Sequence, residues 1–329
     1  MATSMIVALT GSASFLGQNL IGLFEDDPRI ERIVSLDVRQ PVTAGPKTLH
    51  VPTDLTAPGI DATMADVLAE EKVTAVLHLA FLAEASHAEA WAHELEAVGT
   101  MHVVNAARRA DVVKIVSWSQ TLLYGANPTN PNFLTEKHPL RARKSAPFFS
   151  DKLEAEQEVL RFGEEPGRKV VVLRTAPILG PTVRNYVTRY LSHRLVPTAM
   201  GFDPLFQFLH EVDAVAAFRA ALRRDVTGVF NIVGDGVLPL SRVIHLAGRI
   251  ALPVPHPLAG GALAALWLTQ MTSLPAAFLD YLRYVCVADG ARARDVLGFR
   301  PAHSTREAIL DFANAQRLRD LSLLSDMPR

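Results

Sequence analysis

The chain has 329 residues, of which 49% are hydrophobic and 20% charged, and its formal net charge is -1. These proportions exclude a disordered chain, and the charge balance leaves no basic excess for a phosphate backbone, which argues against nucleic acid as the main partner. A single cysteine, Cys286, excludes an intrachain disulfide and fits a reducing, cytoplasmic setting.

The first string, MATSMIVALTG, lacks the basic start of a signal peptide and runs into a glycine turn. Short β-branched runs occur at 5–10, 32–37, 48–52, 75–81, 114–119 and 170–175. Helical patterns lie between most of them, at 16–25, 61–72, 88–109 and 149–162. Near-continuous apolar strands alternating with amphipathic helices predict an α/β fold, a Rossmann-type doubly wound parallel sheet with right-handed crossovers. After Arg174 proline and glycine break the rhythm, in TAPILGPTVRN and LVPTAMGFDP. A helix is expected at about 213–223, a strand and turn at 228–236, and helices at 239–250 and 305–319. The most apolar stretch, 257–271, is shorter than the ~20 residues of a bilayer span, so no membrane span is expected. It reads as a buried or lid helix, or as a greasy lip over an apolar ligand or a membrane surface.

The first strand ends in TGSASFLGQNL, 10–20, where a helix begins. Gly11 permits a tight turn, and Gly17 permits close packing of helix on strand. The helix N-terminus, opened by Phe15 and Leu16, offers N–H groups and positive partial charge to a pyrophosphate. Ser14 stands where a glycine would let the backbone approach the phosphate; its hydroxyl is a candidate phosphate donor. Asp37 follows Gly17 by 20 residues, at the end of the second strand. A carboxylate there accepts from both ribose hydroxyls and repels a 2′-phosphate, which favours NAD over NADP, although Arg39 lies close by.

These motifs resemble the extended short-chain dehydrogenase/reductase superfamily, of the NAD-dependent epimerase/dehydratase type, over nearly the whole length. TGSASFLG is similar to its TGxxGxxG opening. TDL, 53–55, is similar to its Asp-Leu step and places Asp54 at the adenine, with Leu55 beside it. HLAF, 78–81, is similar to H-L-A-A, whose Leu79 and Ala80 would line the cofactor. AVGTMHVVNAA, 97–107, resembles the NVxGTxNVLxAA helix, with Glu96 replacing its first asparagine. SQTLLYG, 119–125, LRTAPILGP, 173–181, and FLHEVDAVAAF, 208–218, resemble SSxxVYG, LRPxNVYGP and the FVHVDDVA segment. Pro177 falls in the second of these and is expected at the cofactor. The resemblance implies an NAD-binding domain at 1–175, to which 206–233 returns, and a smaller C-terminal substrate-binding lobe at 176–329. It also implies a homodimer built on helices 88–109 and 149–162.

The superfamily's chemistry uses Tyr-x-x-x-Lys and a Ser or Thr. The lysine falls on Lys152 and the tyrosine on Phe148. The hydroxyl residue falls on Gln120, with Ser119 and Thr121 beside it. Phenylalanine exchanges no proton. Other candidate proton carriers are Glu84, His87 and His93 after the fourth strand; Tyr124 and His210 read as structural. No metal-ligand motif and no G-x-S-x-G elbow stand out. The asparagine and arginine that hold nucleotide sugars fall on Ile178 and Phe206, which favours an apolar or aromatic substrate, with Arg184, Arg189 and Arg194 as other sources of charge. The leading expectation is an atypical NAD(H)-dependent oxidoreductase. The alternatives are a nucleotide-binding regulatory protein without hydride transfer, and a non-redox lyase or isomerase.

Overall fold

The computed structural model describes residues 4–142, 146–255, 260–261, 268–269 and 275–325. Among these, seven strands form one parallel sheet: β1 (Met5–Thr10), β2 (Ile30–Asp37), β3 (Thr48–Pro52), β4 (Ala75–His78), β5 (Lys114–Gln120), β6 (Lys169–Thr175) and β7 (Gly228–Ile232). Their order is β7-β6-β5-β4-β1-β2-β3, and neighbours are parallel throughout. The winding reverses between β1 and β4. In such a sheet a ligand crevice opens at the strands' carboxyl ends beside that reversal.

The strands are apolar on both faces because helices cover both. Val7, Leu9, Leu77, Val116 and Leu173 share one core with Leu20, Ile21 and Phe24 of α1 (Phe15–Glu25) and Phe218 of α7 (Glu211–Arg223). Ala8, Val34, Val76, Ile115 and Val172 point the other way. They meet Met64 and Leu68 of α2 (Ile60–Glu70), Val103 and Val104 of α4 (Gly99–Arg109), and Val159 and Phe162 of α5 (Pro147–Gly163). Successive side chains of one strand therefore feed two cores.

Two expectations change. The 88–109 segment is not one continuous helix: α3 (Glu89–His93) passes through one π-helical turn, Glu94–Val98, into α4. The extra residue in that turn shifts the helix face and carries Glu96 inward, where it is 1% exposed. The helix expected to reach residue 250 stops earlier. Helix α8 (Leu240–Leu246) is closed by Gly248 at φ 70°, whose N–H donates to the His245 carbonyl, while that of Arg249 donates to Ile244. Residues Ile250–Val254 then form a strand parallel to Leu195–Ala199. Most of the apolar stretch 257–271 lies outside the described residues. No helix among the described residues is long and apolar enough to cross a membrane.

Candidate active site

The glycine loop sits at the reversal of the sheet. Gly11 has φ 65°, and a Cβ there would lie 2.7 Å from the Leu79 carbonyl carbon and the Ala80 nitrogen. A Cβ on Gly17 would lie 2.5 Å from the Gly11 carbonyl oxygen. Both glycines are thus required by close backbone approach, and Leu79 and Ala80 back the turn. Ser14 is extended, at φ -68° and ψ 166°, so the position needs no glycine. Its Oγ accepts from the Gly17 N–H at 3.1 Å and caps α1, a use turned toward the helix. Phe15 and Leu16 open that helix, Leu16 within the core.

Asp37 ties this loop to β2. Its Oδ2 accepts from the Ala13 N–H at 2.9 Å and its Oδ1 from the Arg39 N–H at 3.1 Å. Asp54 Oδ1 accepts from the Thr56 amide and hydroxyl, at 2.9 and 2.7 Å. Leu55 is buried against Gly99, and the Pro177 carbonyl accepts from Leu209. A backbone cradle that a Cβ would fill, a helix N-terminus above it and a carboxylate at the end of β2 fit a dinucleotide.

Helix α5 brings the lysine. Pro147 starts it, with Ala146 extended before it, as a proline at the first helical position requires. Three charged residues of α5 are buried, Asp151, Lys152 and Glu156, and each has a partner from another element. Lys152 Nζ donates to Glu96 Oε1 at 2.5 Å. The Leu82 N–H donates to the same oxygen, at 2.5 Å. Burial pulls the Lys152 ammonium down and pushes the Glu96 carboxyl up, while their mutual attraction opposes both shifts. Asp151 Oδ1 meets His93 Nδ1 at 3.0 Å. That hydrogen bond raises the His93 imidazole above its ordinary range.

Phe148 lies where the resemblance puts a tyrosine. Its ring centre is 4.1 Å from Lys152 Nζ. It packs with Phe149, Phe278 and Tyr186, the last on α6 (Tyr186–Ser192), at centroid separations of 5.4, 5.5 and 6.3 Å. The loop after β4 closes on α6 through Tyr186 N–H to the Ala83 carbonyl and Arg189 to Glu84 at 2.6 Å. An aromatic wall thus stands beside the lysine.

The hydroxyl position is taken up differently. Ser119 Oγ donates to Glu156 at 2.5 Å, inside a buried network in which Glu156 pairs with Arg174 and Arg174 donates to the Tyr124 hydroxyl. Tyr124 in turn donates to Asn231 at 2.8 Å, a structural role. Thr121 is buried, and its carbonyl accepts from Cys286 Sγ. Gln120 is 6% exposed and its Oε1 has no hydrogen-bond partner among the described residues.

Glu96 is the residue whose part sequence reasoning missed. Its signal was the glutamate standing in the asparagine position of the helix motif. A short relay connects it to the glycine loop: Thr10 Oγ1 to His78 Nδ1 at 2.6 Å, His78 Nε2 to Thr100 Oγ1 at 2.8 Å, and Thr100 Oγ1 to the Glu96 carbonyl at 2.5 Å. Because Thr100 donates to that carbonyl, it accepts from His78 Nε2–H, and His78 is the neutral Nε2 tautomer. Burial takes its pKa down to about 3.

Elsewhere the fold gathers His210, Asp213 and His303, with possible ligand atoms within 4.8 Å of one another. The two imidazoles stack at 4.0 Å and 24°, so their in-plane lone pairs run side by side. Both Asp213 oxygens accept backbone amides, from Ala302 and His303. Ile178 is buried and pairs with Leu209, and Phe206 packs on Phe208.

The family model for the NAD dependent epimerase/dehydratase family matches residues 7–233, and the chain belongs to that family. An uncharacterized protein of Mycobacterium tuberculosis is 34% identical over 322 residues, 95% of this chain and 84% of its own length. A 3-diazoavenalumate denitrifying reductase of a Streptomyces species is 29% identical over 219 residues, 64% of this chain and 67% of that protein. Among solved structures, the dTDP-glucose 4,6-dehydratase DesIV of Streptomyces venezuelae, with NAD and TYD bound, is similar with a TM-score of 0.74 and 18% identity, over 97% of this chain and 98% of that one. That likeness is one of fold.

Proposed function

We propose that this protein is an NAD(H)-dependent oxidoreductase that reduces an apolar, aromatic acceptor without a proton-transferring tyrosine. One observation carries the reading: the family's lysine is kept and buried, while the adjoining position is a phenylalanine set in an aromatic wall. The Gly11–Gly17 cradle and the Phe15 and Leu16 N–H groups would hold the pyrophosphate, Asp37 the adenosine ribose, and Lys152 the nicotinamide ribose. Asp37 favours NAD over NADP. The structure of DesIV, which holds NAD, supports this assignment.

General acid–base help is typically worth ~10²–10⁴-fold, so its loss selects against acceptors that end as alkoxides. It costs nothing where the reduced carbon needs no proton from the protein. NADH, when bound, would supply hydride chemistry; at an aryl diazonium carbon the hydride pair would make the new C–H bond and the C–N pair would leave with N2, so no proton from the protein is needed. The Streptomyces relative is named for such a reduction. Phe148, Tyr186 and Phe278, buried together beside Lys152, exclude water and would make the surroundings of an acceptor there apolar. Ile178 and Phe206 replace the polar handles of a nucleotide sugar, so a dianionic diphosphate is poorly matched.

The test is titration of NADH into the purified protein followed by a panel of aryl diazonium, quinoid and simple ketone acceptors. Binding with turnover of the first two classes and none of ketones supports the reading. Absence of nicotinamide binding sinks it.

A further inference from the structure

We propose that Glu96 is the positioning residue of Lys152, and that it neutralises the lysine within the protein so that Lys152 cannot activate a hydroxyl at position 148. The inference deepens the reading above and rests on it only for its kinetic consequence.

Three observations lead here. The carboxylate is carried inward by the π-helical turn at Glu94–Val98, a local departure from the α-helix on either side. Its Oε1 is held from two directions, by Lys152 Nζ and by the Leu82 N–H, each at 2.5 Å. Two of the positions that depart from the family's motifs, 96 and 148, face the same ammonium: one as a carboxylate oxygen at 2.5 Å, the other as a ring centred 4.1 Å away.

A lone ammonium favours the phenolate form of a neighbouring tyrosine; an opposite charge within ~4–6 Å lowers a pKa by roughly 1–3 units. A carboxylate in contact with that ammonium cancels the effect. The cancellation holds whichever partner carries the shared proton, since burial drives both toward their neutral forms. The other charges near Nζ are Asp151, from the same helix, and His93, which faces Asp151 from α3. Asp151 is itself paired with His93, and neither that pair nor Asp151 alone restores a net positive lysine. Loss of the tyrosine and gain of the glutamate are therefore one coupled change. Restoring the hydroxyl alone does not restore the acid.

The experiment is a near-ultraviolet phenolate titration of Phe148→Tyr and of Phe148→Tyr/Glu96→Gln, each read as a difference from the parent so that the 5 native tyrosines cancel. The Glu96→Gln change removes the charge and keeps an acceptor for the Leu82 N–H. In the single variant the introduced phenol titrates at or above the ordinary tyrosine value of about 10. In the double variant it titrates lower by about one unit or more. Equal midpoints in the two proteins, or a lowered midpoint already in the single variant, overturn the proposal. Should the glutamine variant fail to give a cooperative melt, Glu96→Asn, the family's residue, takes its place with the same readout. The titration needs no turnover, so it stands apart from the functional reading. If acceptors are found, the single variant, like the parent, shows no ketone turnover, and the double variant acquires it, at least about 10-fold above the detection limit of the assay, a fraction of the usual acid contribution.

Discussion

Lys152 Nζ rests 4.1 Å from the centre of the Phe148 ring, four residues earlier on the same helix, and donates to Glu96 at 2.5 Å. The ammonium thus touches both a π face and a carboxylate. Cation–π contacts of this kind contribute roughly 2 kcal/mol when desolvated, and a buried ion pair is sensitive to loss of either partner.

Lys152→Met leaves Glu96 buried and uncompensated, which costs about 3–5 kcal/mol of stability. Lys152→Met/Glu96→Leu removes both charges and recovers most of that loss. Urea unfolding of the parent, the single and the double variant measures the difference. A double variant no more stable than the single contradicts the pairing.

Gly11→Ala puts a Cβ 2.7 Å from the Leu79–Ala80 backbone at a positive φ. Strain and overpacking together cost more than about 2 kcal/mol, and the cradle can no longer close on a pyrophosphate. Ser14→Ala is milder, about 1 kcal/mol, because it removes only the cap on Gly17. Thermal melts with and without NADH separate the two: the ligand-dependent rise in Tm disappears in the first variant and persists in the second.

Asp37→Asn removes the carboxylate that holds the Ala13 N–H and that, in the proposed NAD site, would face the adenosine ribose. A charged hydrogen bond is worth about 1.5–3 kcal/mol, so NADH affinity falls roughly 10- to 100-fold. NADPH affinity falls less or rises, because the repulsion of a 2′-phosphate goes with the charge. Parallel calorimetric titrations of the two nucleotides report the ratio.

The His93 imidazole is held above its ordinary 6.5 by its hydrogen bond to Asp151. A raised folded-state pKa adds stability in full below 6.5, and that contribution disappears as pH rises through the raised value. His93 is partly exposed, so the effect on stability is small and the titration itself is the better readout. NMR is expected to find the His93 midpoint above 6.5 in the parent and to find it moved back down in Asp151→Asn. An unmoved midpoint contradicts the contact.

Much of the fold was legible because its signals are local. The apolar runs at β1, β5 and β6 and the glycines at 11 and 17 mark strands and a turn whatever surrounds them. Asp37 could be located by spacing from those marks, and Lys152 through the resemblance to the superfamily's Tyr-x-x-x-Lys. The part Glu96 takes was not legible. An acidic residue within a helical pattern reads as a solvated face, and only the π-helical turn sends it inward. Ser119 likewise reads as available to a substrate, but Arg174 and Glu156, distant in sequence, claim it for the buried network. Tyr186 carried no motif at all and joins the Phe148 wall only through the docking of α6 on the loop after β4.

The most direct test of hydride transfer without a tyrosine acid is a single-turnover reaction with NADH deuterated at the transferring position of nicotinamide C4, followed from about pH 6 to 9 with an aryl acceptor. Deuterium in the product carbon, with a primary isotope effect and a rate that stays level across that range, is the expected result. No deuterium in any product, or a rate falling tenfold per pH unit as a protein acid titrates, would contradict the account.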